Sequence, residues 1–168
     1  MPSNTTVNLL LLVAVVGVCS FFTPQFKGVY KGQLAQEAKM YWHEFNSLPP
    51  YAPGSAACAI LPRQAKLVQM NNILEQAQRA HIPLQDKDLK DFTVLGFRET
   101  FRAVNVDLGT ALVKAMRESE GPAACNAENE TLNLRTKKSI GTAIKRLYQL
   151  SNLGAPDIGM TPDEADAL

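Results

Sequence analysis

The sequence predicts an all-α protein, with a single N-terminal transmembrane (signal-anchor) helix followed by a small bundle of four to five amphipathic helices. Two observations support this fold class. An uncharged, apolar run opens the chain, and apolar residues then recur every three or four positions in most later segments. Several amphipathic helices in a chain of this length can close one hydrophobic core.

The composition excludes several classes of protein. The chain has 168 residues, of which 46% are hydrophobic and 20% charged, so global disorder, a collagen-like fibre and a disulfide-dense scaffold do not fit. Only one stretch lacks charge for long enough to span a bilayer, which excludes a protein with several spans. The 17 basic and 16 acidic residues nearly balance, so charge gives no general reason to expect nucleic acid as a partner.

Residues 1–26 are interpreted as a membrane anchor or signal segment. Val7–Phe22 is almost wholly apolar, and no ionisable side chain occurs before Lys27. A spanning helix needs about 20 largely apolar residues. We therefore expect an uncleaved anchor that contacts the membrane through residues 7–22. A cleaved signal peptide is the main alternative, although the usual basic residues before its apolar region are absent. A buried core helix is the third interpretation.

The orientation of the anchor is read from two conflicting signals. Basic residues follow the apolar run and none precedes it, which favours a domain on the cytoplasmic side: Lys27, Lys31 and Lys39. Against this, Cys58 and Cys125 form a candidate disulfide, which needs an oxidising compartment, and Asn129 begins an Asn-Glu-Thr glycosylation acceptor. Two small buried thiols are the alternative for the cysteines. We expect an extracytoplasmic domain.

Residues 27–46 are predicted as a juxtamembrane amphipathic helix, separated from the anchor by Pro24 and Gly28. Its aromatic residues Tyr41, Trp42 and Phe45 share one helical face. They fit a core position, and alternatively a partner-docking or interfacial site. Residues 47–62 contain four prolines and no charge, which predicts an extended connector.

Residues 63–154 are predicted as a helical domain. A helix follows Pro62 and stops near His81, ahead of Pro83. Asp86 is expected to cap the next helix, which reaches Phe101; a short strand over 93–97 is the alternative there.

Three further segments complete the prediction. Asn105 or Asp107 is expected to cap a helix that ends at Gly121-Pro122, and a polar loop covers 123–133. A helix then spans 136–151. The acidic tail, 155–168, contains a short terminal helix capped by Thr161.

No arrangement of reactive residues predicts catalysis. The two histidines, His43 and His81, lack partners at metal-ligand spacing, and the serines stand outside any G-x-S-x-G setting. Neighbouring acids such as Glu118 and Glu120 are two positions apart, so a helix would splay them. We therefore expect no enzyme activity, no cofactor, no metal and no evident small-molecule substrate.

One segment has an asymmetric charge, with five basic residues and no acid between positions 135 and 146. These residues are the candidate contact for an anionic partner: Arg135, Lys137, Lys138, Lys145 and Arg146. A solvated helix face is the alternative. The segment lacks interleaved aromatic residues, which makes nucleic acid unlikely as the partner.

These observations together predict a non-catalytic, single-pass membrane-anchored helical protein that serves as a structural subunit or an assembly or adaptor factor. Other protein subunits are the expected partners. A secreted helical binding protein or effector, released by signal cleavage and stapled by Cys58–Cys125, is the alternative. An enzyme without a readable motif is the third hypothesis.

Overall fold

The computed structural model describes the backbone of residues 4–118 and 137–168, and the side chains of 25–118 and 138–168. Within these residues the chain forms helices and no strand, so the all-α prediction is confirmed there. The helices are α1 (Asn4–Ser47), α2 (Ala57–Arg79), α3 (Asp86–Leu89), α4 (Val94–Arg117), α5 (Lys137–Ser151) and α6 (Pro162–Asp166), with a 3-10 turn over Ala155–Ile158 between the last two.

The first helix does not end where the sequence predicted. α1 runs unbroken through the positions of Pro24 and Gly28, so the predicted separation of an anchor from a juxtamembrane helix is wrong. A proline removes one backbone hydrogen bond and a glycine lowers helix propensity by about 1 kcal/mol, and neither effect obliges a long helix to stop. Packing of the second half of α1 stabilises the helix. Its buried residues are Leu34, Ala35, Ala38 and Phe45.

Among the residues whose side chains the structure describes, no helix is long and apolar enough to cross a membrane. The side chains of the predicted anchor, residues 7–22, are not among those described, so the anchor stays a prediction.

Helices α1 and α2 pack as an antiparallel hairpin. The Lys66 Nζ lies 2.6 Å from Glu44 near the bend, and the Gln76 amide donates to the Tyr30 hydroxyl, 2.6 Å away, at the other end. The extended connector is shorter than predicted, because α2 begins at Ala57 and contains Pro62 inside its second turn. Pro62 is the sixth residue of α2, so it removes one helical hydrogen bond, the one that its nitrogen would otherwise donate to the Cys58 carbonyl.

The connector between α1 and α2 lies against the domain surface. The Tyr51 hydroxyl donates to Asp107 on α4 at 2.8 Å, and the Arg63 guanidinium donates to the Leu48 carbonyl at 2.8 Å. The connector is therefore fixed to two helices, and it closes the hairpin as a rigid link.

The predicted helix from Asp86 to Phe101 is divided in two. α3 ends after Leu89, where Lys90 takes a left-handed conformation with φ 59°. α4 begins at Val94, and its N-cap Thr93 accepts a hydrogen bond from the Gly96 amide at 2.9 Å. The alternative of a strand over 93–97 is wrong for the same reason.

The predicted start of a helix at Asn105 or Asp107 is also wrong, because α4 continues to Arg117 without a break. Asn105 is fully buried in the middle of this helix. Its Nδ2 donates to the Phe101 carbonyl at 2.8 Å, and its Oδ1 accepts from Gln64 Nε2 on α2 at 3.2 Å. An asparagine whose amide is satisfied in this way tolerates the interior of a helix.

Helix α4 is the centre of the core, with α2 and α5 packed on it. The largest fully buried side chains come from these three helices and from the segments that close the ends of the bundle. They include Ile60, Leu67, Met70, Leu89, Phe97, Leu108, Leu112, Ile140, Ile144 and Ile158.

The C-terminal segment, 152–168, returns along α4 and α5. The helix predicted over 136–151 is confirmed as α5, and the short helix capped by Thr161 is confirmed as α6, where the Thr161 and Glu164 side chains bond reciprocally with the backbone. The predicted stop at Gly121-Pro122 and the predicted loop over 123–133 lie outside the described residues.

Two glycines allow the C-terminal segment to approach closely. A Cβ added at Gly109 on α4 would overlap the Ile158 side chain, and one added at Gly141 on α5 would lie 3.1 Å from Leu168 Cδ2. Two ion pairs to α4 reinforce this contact, Arg117–Glu164 at 2.7 Å and Arg102–Asp157 at 3.0 Å. We call residues 152–168 the C-terminal clasp.

Candidate functional site

The predicted aromatic residues lie inside the helical domain. The Trp42 ring stacks on Phe45 at 5.4 Å and on Phe92 at 4.9 Å between ring centroids. Phe45 is buried, and the Arg63 guanidinium lies 4.1 Å from its ring centroid. Tyr41 and Trp42 are half-buried and pack on the core, so partner docking through them stays a prediction.

The predicted basic residues are split between two surfaces of α5. Lys138 and Lys145 are two turns apart, so they share the face that points away from the core. Arg146 lies on a different side, next to α2. None of these three cations has an acidic partner within ion-pairing distance in the part of the chain that the structure describes. The side chains of Arg135 and Lys137 lie outside the described residues.

An open groove lies between α2 and α5, with α4 as its floor. The two flanking helices both pack on α4 and scarcely touch one another, and Ala65 on α2 and Ala143 on α5 line the space between them. The groove has a volume of about 240 Å³. Its lining residues are Gln64, Ala65, Val68, Leu108, Leu112, Ala143, Arg146, Leu147 and Leu150.

The groove combines an apolar wall with one charge. Arg146 is the only ionisable residue of its lining, and Gln64 is the only other polar one. The Gln64 amide is directed to Asn105, which leaves Arg146 as the one charged group that a molecule in the groove would meet. Sequence reasoning assigned Arg146 to the basic segment and missed the groove. The available signal was the position of Arg146, one residue before the buried Leu147, at the edge of the apolar face of α5.

Three groups with shifted pKa values lie at contacts that join one element to another. Hydrogen bonding from Arg117 lowers the pKa of Glu164 to about 2, and hydrogen bonding from Lys31 lowers that of Asp88. Burial, with a hydrogen bond to Asp107, raises the pKa of Tyr51 to about 12. None of these groups lines the groove.

Two further pKa shifts have a local backbone contact or burial as their main cause. The backbone amide of Gly154 lowers the pKa of Asp157, and burial raises that of Tyr148. Over 25–118 and 138–168 no three His, Cys, Asp or Glu side chains come together as metal ligands. His43 and His81 are both exposed.

The cysteine and glycosylation predictions fall at the edge of what the structure describes. Cys58 lies in the first turn of α2. Its predicted partner Cys125 and the predicted glycosylation site Asn129 lie outside the described residues, so the Cys58–Cys125 pairing stays a prediction.

No protein-family model, no curated protein and no solved structure matches this chain.

Proposed function

We propose that this chain is a non-catalytic structural subunit or adaptor, held at a membrane through residues 7–22, whose helical domain binds other protein subunits. The observation that carries the proposal is the continuity of α1 from Asn4 to Ser47. The same helix contains the predicted lipid-facing segment and a face of the domain core, with no linker between them.

The contacts along α1 support a domain held close to a bilayer. Tyr30 and Lys31 bond with the domain, through Gln76 and Asp88. Leu34, the first buried residue of α1 among the described side chains, is 12 positions after Phe22. At 1.5 Å per residue this is roughly 18 Å along the helix axis. A rigid connection of this length suits a protein that presents a surface at a fixed height and orientation.

The distribution of ionisable groups supports a role without catalysis. Each carboxyl group with a lowered pKa is bonded to a neighbouring element, as in Glu164 with Arg117 and Asp88 with Lys31. The groove contains one ionisable side chain, whereas general acid–base or nucleophilic catalysis needs two or more groups that converge. The half-buried aromatics, together with Lys138 and Lys145, which have no acidic partner among the described residues, are the surfaces we assign to protein partners.

The test is to isolate the full chain from its native membrane in a mild detergent and measure the mass of the complex it forms. We expect a complex with other polypeptides that is absent from Gly28→Pro, a variant that removes a helical hydrogen bond between the predicted anchor and the core. Gly28→Ala is the matched control, because an added Cβ there meets no atom within 4 Å and the helix is kept. A wild-type chain that migrates alone would contradict the proposal.

A secreted binding protein is the second candidate, because a disulfide at Cys58 would need an oxidising compartment, which suits a secreted protein as well as an extracytoplasmic anchored domain. The two candidates differ in the fate of residues 1–26. The intact mass of the native protein separates them: a full-length mass supports the anchored subunit, and loss of about the first 20 residues supports the secreted protein.

A further inference from the structure

We propose that the groove between α2 and α5 binds a free, medium-chain carboxylate amphiphile, with its alkyl chain along the apolar wall and its carboxylate at Arg146. This ligand goes beyond the proposed adaptor function. The inference rests on the size of the groove, on its single charge and on its position in the domain.

The size of the groove sets the length of the ligand. An apolar cavity of about 150 Å³ in a protein core stays dry and takes up benzene, a six-carbon ligand. On that scale the groove, at about 240 Å³, holds roughly ten carbons. This is too small for a lipid with two long chains, and it fits one alkyl chain of medium length.

The polar groups of the groove set the chemistry of the ligand head. Arg146 is exposed at the edge of the groove and has no acidic partner among the described residues. Its planar guanidinium can donate two parallel hydrogen bonds to a carboxylate. Lys138 and Lys145 lie on the other face of α5, so the groove offers one cation and selects a monoanion.

The position of the groove separates a free carboxylate from a headgroup in the bilayer, and this step rests on the predicted anchor. Lys66 follows Ala65 of the groove wall and pairs with Glu44, which is 18 residues past Phe26 on α1. That distance is about 27 Å along the helix, whereas bilayer headgroups extend only about 5–8 Å beyond the hydrocarbon. A ligand therefore reaches the groove through water.

The experiment measures binding of radiolabelled decanoate to the full chain in phosphatidylcholine nanodiscs, with empty nanodiscs as the blank. We expect saturable binding of one decanoate per chain. Ala65→Trp, which fills the groove from an exposed position on α2, should abolish it. Arg146→Ala should weaken it about threefold, a modest factor because the guanidinium is exposed to solvent.

Two matched comparisons isolate the groove and the charge. Lys145→Ala removes an exposed cation of the same helix that does not line the groove, and it should leave the affinity unchanged. Decanol should bind the wild-type chain about threefold more weakly than decanoate does. Decanol and decanoate should bind Arg146→Ala with equal affinity. Thermal unfolding of each variant shows that the fold is intact.

Four outcomes would overturn the inference. The first is decanoate binding that Ala65→Trp does not reduce, and the second is no saturable binding at all. The third is a dimer that Ala65→Trp dissociates, which would assign the groove to a second copy of the chain. Competition by phosphatidylglycerol in the nanodisc would instead identify a bilayer lipid as the ligand, and would also contradict a free carboxylate.

Discussion

Two regions pack on helix α4 by different means. The seam between α2 and α4 is apolar and buried, and it encloses one satisfied amide pair, Gln64 with Asn105. The C-terminal clasp buries fewer side chains, chiefly Ile158 and Met160, and it adds two exposed ion pairs to arginines of α4. Helix α4 thus makes a buried core contact with α2 and a more exposed contact with the C-terminal clasp.

The difference between the seam and the clasp predicts that they respond to different perturbations. Apolar burial stabilises by about 25 cal/mol per Å² and is insensitive to acid, whereas exposed ion pairs are weak and depend on pH and salt. The seam should therefore fail only when its packing is damaged, and the clasp should detach first when the charges change.

The largest effect is expected from a charge placed in the core that the seam shares with α5. Leu112→Asp puts a carboxylate at a position that is 1% exposed, and it should destabilise the domain by more than about 4 kcal/mol. Thermal unfolding followed by circular dichroism measures this. The control is Leu95→Asp on the same helix, where the side chain is 66% exposed and no loss is expected. Equal melting of Leu112→Asp and wild type would show that α4 is not central to the core.

An intermediate effect is expected where the clasp meets α4. Gly109→Ala places a Cβ into the Ile158 side chain, so the clasp must shift, at a cost of about 1–3 kcal/mol. Hydrogen exchange should show loss of protection over 155–168 of about tenfold, with little change in α2.

The matched control for the clasp is Gly32→Ala, since an added Cβ there meets no atom within 4 Å. Ile158→Ala combined with Gly109→Ala should recover part of the protection, because it removes the overlapping group. Loss of protection in α2 together with the clasp would show that the two regions unfold as one unit.

The smallest effect is expected from acid. The pKa of Glu164 is lowered to about 2 from 4.5, so its pairing with Arg117 contributes stability above the unfolded pKa and loses it as the pH falls from about 4.5 towards 2. The lowered pKa of Asp157 acts in the same direction. The protection factors of the clasp amides, which are corrected for the intrinsic pH dependence of exchange, should fall over this range while α2 stays protected.

Substitution of the two carboxyl groups tests this pH dependence. Glu164→Gln together with Asp157→Asn should leave the protection factors of the clasp nearly independent of pH between about 4.5 and 2, because the titrating groups are gone. A clasp that loosens with acid in this double variant as much as in the wild type would assign the effect to other groups.

The sequence predicted helices best where capping signals and apolar periodicity agree. α5 and α6 are such cases, since the repeat at Ile140, Ile144 and Leu147 is regular and Thr161 has its acidic partner three positions later. The sequence wrongly predicted a helix break where a residue that favours turns has its side-chain hydrogen bonds satisfied by the tertiary structure. Asn105 is the clearest example, because Gln64, 41 residues earlier, satisfies its side chain.

The candidate site could not be predicted in the same way, because a groove depends on how helices are placed. Apolar periodicity identifies Leu108 and Leu147 as inward-facing, and it does not reveal that α2 and α5 stand apart over α4. The small residues Ala65 and Ala143 are compatible with close helix packing as well as with an opening. Only the three-dimensional arrangement distinguishes these two outcomes.

Because α1 is unbroken, the number of residues in it sets the direction in which the helical domain faces. Each residue of a helix advances by 1.5 Å and turns by 100°. One residue inserted between Phe26 and Leu34 would therefore lengthen the helix by only about 1.5 Å, and would rotate the helical domain by more than a quarter of a full rotation about the helix axis relative to the start of α1. A flexible tether would absorb such a short insertion, whereas the continuous helix converts it into a rotation of the domain.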